Sequence, residues 1–144
     1  MNTTNEITPI VASKVALSDR LNFYPTFFGS RFMMRGEAYV MGYMDKFSDD
    51  YNGGDWEFYS LSNGGYYMAP NYDAPLFLEI SDNWFSGQMT ADAAGIVATL
   101  FALGQLAGES QGTTLGDRFI TLYHLLRAFA KEHPESSLIL SAID

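Results

Sequence analysis

Hydrophobic residues first recur regularly in the stretch before the acidic middle of the chain. Val40, Met44 and Phe47 follow one another at intervals of three or four residues, the spacing of one face of an α-helix. We therefore predict an amphipathic helix over Gly36–Phe47, ended by the polar, glycine-containing run SDDYNGG. Upstream of it, the dipeptide Tyr24-Pro25 is expected to break the chain, because proline lacks a backbone N–H.

After that run the hydrophobic period shortens to two. Four short aromatic or β-branched segments, separated by SNGG, NYDAP and SDN, are Asp55–Leu61, Tyr66–Pro70, Leu76–Ile80 and Trp84–Gln88. In the third segment apolar residues alternate with Phe77 and Glu79, the pattern of a strand with one buried face. We predict a four-stranded antiparallel meander. Its second Asn-Gly-Gly is a hairpin connection, and the first marks the start of the sheet.

Three further helices are predicted in the C-terminal half, over Ala91 to about Gly108, Leu115–Glu132 and Glu135–Ala142. Thr90 is placed to cap the first of them, whose many small residues allow close approach from several sides. Thr114 and Asp117 resemble a capping box at the start of the second. The helix at about 91–108 should therefore be central and buried.

Length and composition fit one compact unit. A chain of 144 residues buries roughly 68–70% of the surface that its unfolded form exposes, which is enough for a single core. A hydrophobic content of 47% argues against intrinsic disorder. We predict an α+β fold in a single domain over residues 1–144. An antiparallel sheet of three to four strands, at about residues 55–88, packs with four or so helices.

Three features bear on the cellular compartment. The chain contains no cysteine, which excludes disulfides and suits a reducing cytoplasm. Its start, MNTTNEITPIVASKV, has neither the basic nor the apolar run of a signal peptide, so we expect a cytoplasmic protein. The most apolar window, residues 93–107, is about 22 Å long as a helix, shorter than the roughly 30 Å hydrocarbon core of a membrane. It predicts a buried helix and no membrane contact.

The formal net charge of -9 is concentrated in the middle third of the chain. Residues 45–92 hold nine acids and one base, Lys46, whereas residues 1–44 are net +1 and residues 93–144 net -2. Such a field repels nucleic acid and attracts basic partners, although solubility alone also accounts for an acidic surface. We expect no direct sequence-specific binding to nucleic acid.

Residue types that carry catalysis are sparse. His124 falls on the polar face of its helix and His133 at a helix end, so both are predicted to be solvated. A calcium loop starting at Asp50 fails, because Gly54 takes the place of the third ligand and Asp55 stands where glycine is needed. We predict no catalytic residue, no metal and no cofactor. The sequence leaves open that two carboxylates converge in the fold and act together in hydrolysis.

Five stretches spread almost end to end carry a family resemblance: ITPIVASKV, DYNGGDWEFYSLSNGGYYMAP, MTADAAGIVATLFALGQLA, RFITLYHLLRAFAKEHPE and the terminal AID. Together they resemble the ArdB/KlcA family of antirestriction proteins. The resemblance implies an α+β protein, typically encoded on plasmids and other mobile elements, that protects incoming DNA from type I restriction-modification enzymes. It also implies that the partner is a subunit of such an enzyme, and that inhibition involves neither catalysis nor DNA mimicry.

Two other modes of action compete with protein binding. Duplex DNA as long as this globule, roughly 38 Å, carries about 22 phosphate charges, whereas the whole chain has 17 acids, which disfavours an acidic DNA mimic. A carboxylate-dependent hydrolase requires two acids in one cleft, one of them with a raised pKa. For any of these modes we expect a monomer or a weak dimer.

The candidate partner-binding residues lie in the acidic, turn-rich block and at the C-terminus; they are Asp49, Asp50, Asn52, Asp55, Asn63 and Asp144. Turns and solubility also favour aspartate and asparagine, so fewer than half of the block residues should prove functional. Asp144 adds a side-chain carboxylate to the terminal one, a double negative charge suited to an arginine.

Overall fold

A computed structural model describes residues 8–144, and over this range the chain forms five α-helices and five β-strands. In chain order they are β1 (Ala12–Lys14), α1 (Arg20–Phe28), α2 (Met33–Phe47), β2 (Trp56–Leu61), β3 (Tyr66–Pro70), β4 (Leu76–Ile80), β5 (Phe85–Met89), α3 (Ala91–Glu109), α4 (Thr114–Glu132) and α5 (Ser136–Ile143). Short 3₁₀ turns precede α1 and connect β4 to β5. The predicted α+β class is confirmed.

The strands form two separate antiparallel sheets, so the single four-stranded meander is wrong. One sheet has the order β1-β2-β3, and the other consists of β4 and β5 alone. All four predicted strands exist, but β4 does not continue the first sheet, because helix α3 occupies the outer edge of β3. There the Thr99 hydroxyl lies 3.4 Å from the Met68 nitrogen and 3.3 Å from the Met68 carbonyl oxygen. The second Asn-Gly-Gly forms the β2–β3 connection, as predicted.

Helix α3 is the central element. The Thr90 hydroxyl accepts the Ala93 N–H at 3.2 Å, as the capping prediction required, and every residue from 93 to 100 is buried. Gly95 lets the helix approach β3, since a Cβ there would lie 2.5 Å from the Ala69 Cα. The helix is long and apolar enough to cross a membrane, but 67% of its most apolar window is buried inside the protein. The predicted buried helix is confirmed.

Helix α1 was not predicted. Pro25 lies inside it and removes one helical hydrogen bond, yet the helix continues to Phe28. Phe23 and Phe27 share its inner face and are buried, and Phe23 stacks on Phe58 of β2 with ring centroids 4.6 Å apart. Burial of these rings outweighs the effect of the proline, and Tyr24-Pro25 is therefore not a break.

Two helix starts also differ from the predictions. Helix α2 begins at Met33, earlier than the predicted start at Gly36. Gly36 lies within its first turns and packs against the Phe28 ring, where a Cβ would be 2.5 Å from Cδ1. The capping residue of α4 is Thr113, whose hydroxyl accepts the Gly116 N–H at 3.0 Å. The predicted capping box of Thr114 and Asp117 is therefore wrong: the cap lies one residue earlier, and Gly116, three residues after it, has no side chain to return a bond.

Candidate protein-binding site

The acidic loop SDDYNGGD joins α2 to β2 and lies beside the start of β4. Asp50 Oδ2 accepts the backbone N–H of Phe77 at 2.8 Å, and the Asp50 nitrogen lies 3.3 Å from the Ser48 hydroxyl. Asp49 is exposed next to it. One of the six candidate residues, Asp50, therefore connects the loop directly to the second sheet.

Asn52 has a structural role within the same loop. Its backbone N–H donates to the Tyr72 hydroxyl at 2.9 Å, and that hydroxyl also lies 2.8 Å from Asn52 Oδ1 and 2.7 Å from the Gly53 carbonyl oxygen. Tyr72 thus fixes the first Asn-Gly-Gly, in which Gly53 and Gly54 both have positive φ. These bonds hold the loop in one conformation.

Asp55 and Asn63 lie away from that loop's contact with β4. Asp55 lines a hollow together with Lys14, Arg20 and Glu57, at the edge of the first sheet. Asn63 Oδ1 accepts the Gly65 N–H at 3.0 Å, and Asn63 Nδ2 donates to a carbonyl oxygen of α4 at 2.9 Å. Asn63 therefore shapes the β2–β3 hairpin and fastens it to α4.

Asp144 meets an arginine of its own chain. Its Oδ2 lies 3.4 Å from Nη2 of Arg127 on α4. The six predicted residues thus lie in several separate places, and among them only Asp49 and Asp50 line the same hollow.

A groove runs along β4 beside the C-terminal end of α2, and we call it the acidic edge groove. It consists of two shallow hollows, of about 80 and 150 Å³. Its lining residues are Lys46, Phe47, Asp49, Asp50, Phe77, Glu79, Ile80, Ser81 and Asp82. Sequence reasoning missed Glu79 and Asp82 as site residues, because only the tertiary fold brings β4 beside the end of α2.

The carboxylates of the acidic edge groove lack cationic partners. Among residues 8–144, Glu57, Glu109 and Asp144 pair with lysine or arginine and Asp92 is hydrogen-bonded to His133, whereas no acid of the groove has such a partner. Lys46 lines both hollows but pairs with none of these acids. With four carboxylates against one lysine, the groove carries a net negative charge, which favours a positively charged partner.

Trp84 projects from the turn between β4 and β5. Its side chain is 94% exposed, and its φ of 54° is the one positive value at a non-glycine residue in the described chain. The turn is held by Asn83, whose Nδ2 donates to the Ala142 carbonyl oxygen of α5 at 2.8 Å. An exposed tryptophan in a strained, anchored turn is typical of interaction surfaces. Phe77, 44% exposed, belongs to the same hairpin.

Asp92 lies at the centre of a cluster of hydrogen-bonded side chains, the place in the described chain to look for a hydrolytic site. Tyr67 donates to Asp92 Oδ1 at 2.7 Å, and His133 Nε2 lies 2.8 Å from Oδ2. His133 Nδ1 accepts the Glu135 N–H at 3.0 Å, so the proton of the neutral ring is on Nε2 and is donated to Asp92. The side chain of His133 is only 9% exposed, which makes its predicted solvation wrong.

These bonds connect three elements. Burial, together with the charge of Asp92 and the hydrogen bond to it, raises the pKa of Tyr67 far above its usual range, so the hydroxyl stays protonated. The hydrogen bonds of the cluster join β3, α3 and the turn before α5 to one another, which is a structural role. Elsewhere, hydrogen bonds from Tyr39 and Gln105 lower the pKa of Glu109, opposite to what a general acid requires.

A larger cavity, of about 420 Å³, lies between α2, α3, α4 and α5. Tyr43, Phe101 and Tyr123 dominate its walls. Its amide group, Gln105, already accepts the Tyr43 O–H at 2.6 Å. The cavity is therefore mainly aromatic and offers few polar groups to orient a substrate.

Comparison with known proteins gives concordant matches. Residues 49–144 match the protein family described as "Antirestriction protein". The antirestriction protein KlcA of Escherichia coli is 52% identical over 144 residues, which is the full length of both chains. YafX of Escherichia coli strain K12, described as uncharacterized, is 35% identical over 141 residues, covering 94% of this chain and 88% of its own.

A solved structure shows the same fold. It aligns over the full length of both chains with a TM-score of 0.89 and 53% sequence identity. The work on it describes the KlcA and ArdB proteins as having a novel fold, and antirestriction activity against type I DNA restriction systems in vivo but not in vitro.

Proposed function

Because the chain belongs to the antirestriction protein family, we propose that it protects incoming DNA from type I restriction enzymes by binding a protein subunit of the enzyme. In this proposal the protein inhibits by contact, without a reaction of its own and without imitating DNA. It acts in the cytoplasm, where the restriction enzyme meets incoming DNA.

The acidic edge groove is the observation that carries this proposal. Four carboxylates that have no ion pair within the described chain, those of Asp49, Asp50, Glu79 and Asp82, line the groove beside β4, and Phe77 and Trp84 add exposed aromatic surface on the β4–β5 hairpin. Protein interfaces combine aromatic anchors with charge complementarity, and tryptophan is enriched at their energetic centres. The groove therefore suits a basic protein surface.

The charge distribution supports protein contact over DNA mimicry. Within the described chain, three acids lie beside a lysine or an arginine: Glu57, Glu109 and Asp144. The chain as a whole carries 17 acids, against the roughly 22 phosphate charges of a duplex of its own length. A surface with so many internal pairs offers less negative charge than DNA does.

Restriction in cells tests the proposal, in keeping with the description of KlcA and ArdB as active in vivo. Cells carrying a type I system are infected with unmodified phage in the presence of the wild-type protein or of the double variant Asp49→Asn/Asp50→Asn. We expect protection by the wild-type protein and a loss of protection in the double variant. Asp73→Asn, which removes an exposed acid outside the groove, is the matched control and should protect fully.

Methylation of the progeny phage, measured in the same cells, separates the two modes of inhibition. A protein that engages the enzyme without occupying its DNA site should leave modification largely intact. Loss of restriction and modification together, or displacement of DNA from the purified methyltransferase core by stoichiometric protein, would instead establish DNA mimicry. Equal plating of the phage with and without the gene would contradict any antirestriction role.

A further inference from the structure

The outer edge of β4 has free backbone hydrogen-bonding groups. The Phe77 N–H points to Asp50 and thus away from β5, and residues two apart on a strand point the same way, so Glu79 also faces outward. Outside the pairing of β4 with β5, no hydrogen-bond partner is found within residues 8–144 for the Glu79 N–H, the Glu79 carbonyl oxygen or the Phe77 carbonyl oxygen, and the outward direction of Phe77 places all three away from β5. An unpaired edge of this kind is a template for another strand.

The acidic edge groove supplies side-chain pockets along this edge. Its two hollows share Glu79, and one extends towards Asp50 while the other extends towards Asp82. Side chains at alternate positions of an added strand point to the same side, about 7 Å apart. The two hollows follow one another along β4, as alternate side chains of an added strand do, and carboxylates line both of them.

We propose that β4 binds an extended, lysine- or arginine-rich segment of the protein partner as an added β-strand. The partner residue opposite Glu79 exchanges two backbone hydrogen bonds with it, and a neighbouring partner N–H donates to the Phe77 carbonyl oxygen. Asp50 limits the added strand at one end, because it already occupies the Phe77 N–H. The identity of this partner as a restriction subunit rests on the proposed function, whereas the binding chemistry is tested separately.

The charge of the groove decides among possible occupants. A second copy of this chain would bring its own Asp49, Glu79 and Asp82 to the same edge, and the like charges would repel. Nucleic acid is repelled for the same reason. A basic segment instead gains both backbone pairing and charge neutralisation, and its attraction should weaken as salt is raised.

The first test measures binding of the labelled peptide Lys-Thr-Lys-Thr-Lys-Thr-Lys to the full-length protein by fluorescence anisotropy. Glu79→Pro removes an N–H that faces away from β5, so the β4–β5 pairing should survive. Ser86→Pro, at the opposite position on β5, is the matched control on the other edge. We expect affinity to fall about tenfold or more in Glu79→Pro, about two- to fivefold in the charge-only variant Glu79→Gln, and less than about twofold in Ser86→Pro.

Peptide variants keep the test decisive if Glu79→Pro fails to fold. With the wild-type protein, N-methylation of alternate backbone nitrogens should abolish binding by the lysine peptide, and so should replacement of its lysines by glutamate. Binding that survives backbone methylation, affinity that is equal for both proline variants, or no binding at low salt would each overturn strand addition at β4.

Protection against restriction then connects the edge to the function. A folded Glu79→Pro variant that binds no lysine peptide should also lose protection of unmodified phage, while Ser86→Pro should keep it. If the wild-type protein and Glu79→Pro protect equally, strand addition is not the means of inhibition, although the antirestriction function stands. If the wild-type protein does not protect, the proposed function fails, and the peptide measurements alone decide whether β4 accepts a strand.

Discussion

In the first sheet the outer strand β3 lies against helix α3, whereas in the second sheet the outer strand β4 faces a groove. At β3, Thr99 meets both backbone groups of Met68, and Gly95 allows the helix to lie against the strand. At β4, one backbone donor is capped by the exposed Asp50, and within residues 8–144 the backbone groups of Glu79 have no partner outside the pairing with β5. We call the outer edge of β3, which helix α3 covers, the sealed edge, and the outer edge of β4 the open edge.

The two sheets also differ in how much of their surface is packed. The first sheet lies between α1 and α4, where Phe23 stacks on Phe58 and Tyr67 stacks on Phe129. The β4–β5 hairpin buries one face only and keeps its acids on the other side and at its edge. Carboxylates beside an open edge also oppose edge-to-edge association of identical chains. We infer that the open edge is kept for a partner of opposite charge.

The largest expected effect comes from a substitution that pushes helix α3 away from β3 at the sealed edge. In Gly95→Ala the new Cβ would lie 2.5 Å from both the Ala69 Cα and the Met68 carbonyl oxygen, so backbone must move. We expect the free energy of unfolding to fall by about 3 kcal/mol, measured by urea denaturation.

Gly104→Ala, in the same helix, is the matched control for that substitution. A Cβ at Gly104 meets nothing within 4 Å, so only helix propensity changes and we expect stabilisation of up to about 1 kcal/mol. Equal unfolding midpoints for the two variants would show that β3 and α3 are not in close contact.

A second prediction compares the polar groups at the two edges directly. Thr99→Val keeps the shape of the side chain but leaves the buried Met68 N–H without a partner, so we expect a loss of about 2 kcal/mol. Asp50→Ala removes the corresponding cap from Phe77, where water replaces the carboxylate, and we expect a loss below about 0.5 kcal/mol. Thermal unfolding of both variants measures the contrast, and a larger loss in Asp50→Ala would reverse it.

The elements that were predicted correctly are those that neighbouring residues in the sequence determine. The bounds of β3 and β4 agree with the predicted segments, because alternation and flanking turns determine them within a few residues. Helix α1 and the separation of the sheets depend on distant residues. Phe58 buries the rings of α1, and Thr99 closes the edge of β3, and neither relation is visible in a local window.

The candidate site follows the same rule. The acidic loop was recognisable from its composition, and Asp49 and Asp50 do lie in the groove. Alternation along β4 predicts that Glu79 is exposed, which is correct. Its location beside the end of α2 depends on tertiary packing. Lone carboxylates at an edge have no sequence pattern that distinguishes them from solvated ones.

The smallest expected effect concerns the turns that close the two hairpins. In the first hairpin the positive φ falls on Gly64, whereas in the second it falls on Trp84, a residue for which this conformation is unfavourable. We expect Trp84→Gly to be more stable than Trp84→Ala by about 1 kcal/mol or less, measured by urea denaturation, because only glycine relieves the backbone.

Both Trp84 variants remove the indole, but only Trp84→Gly relieves the backbone. Comparing them therefore separates the role of the ring in binding from the effect of the turn conformation. If the exposed ring anchors a partner, both variants should protect unmodified phage less well than the wild-type protein, whatever their stability. Protection that follows stability, falling only in Trp84→Ala, would show that the turn conformation matters and the ring does not. The open edge of β4 would then carry the contact without an aromatic anchor at the end of its hairpin.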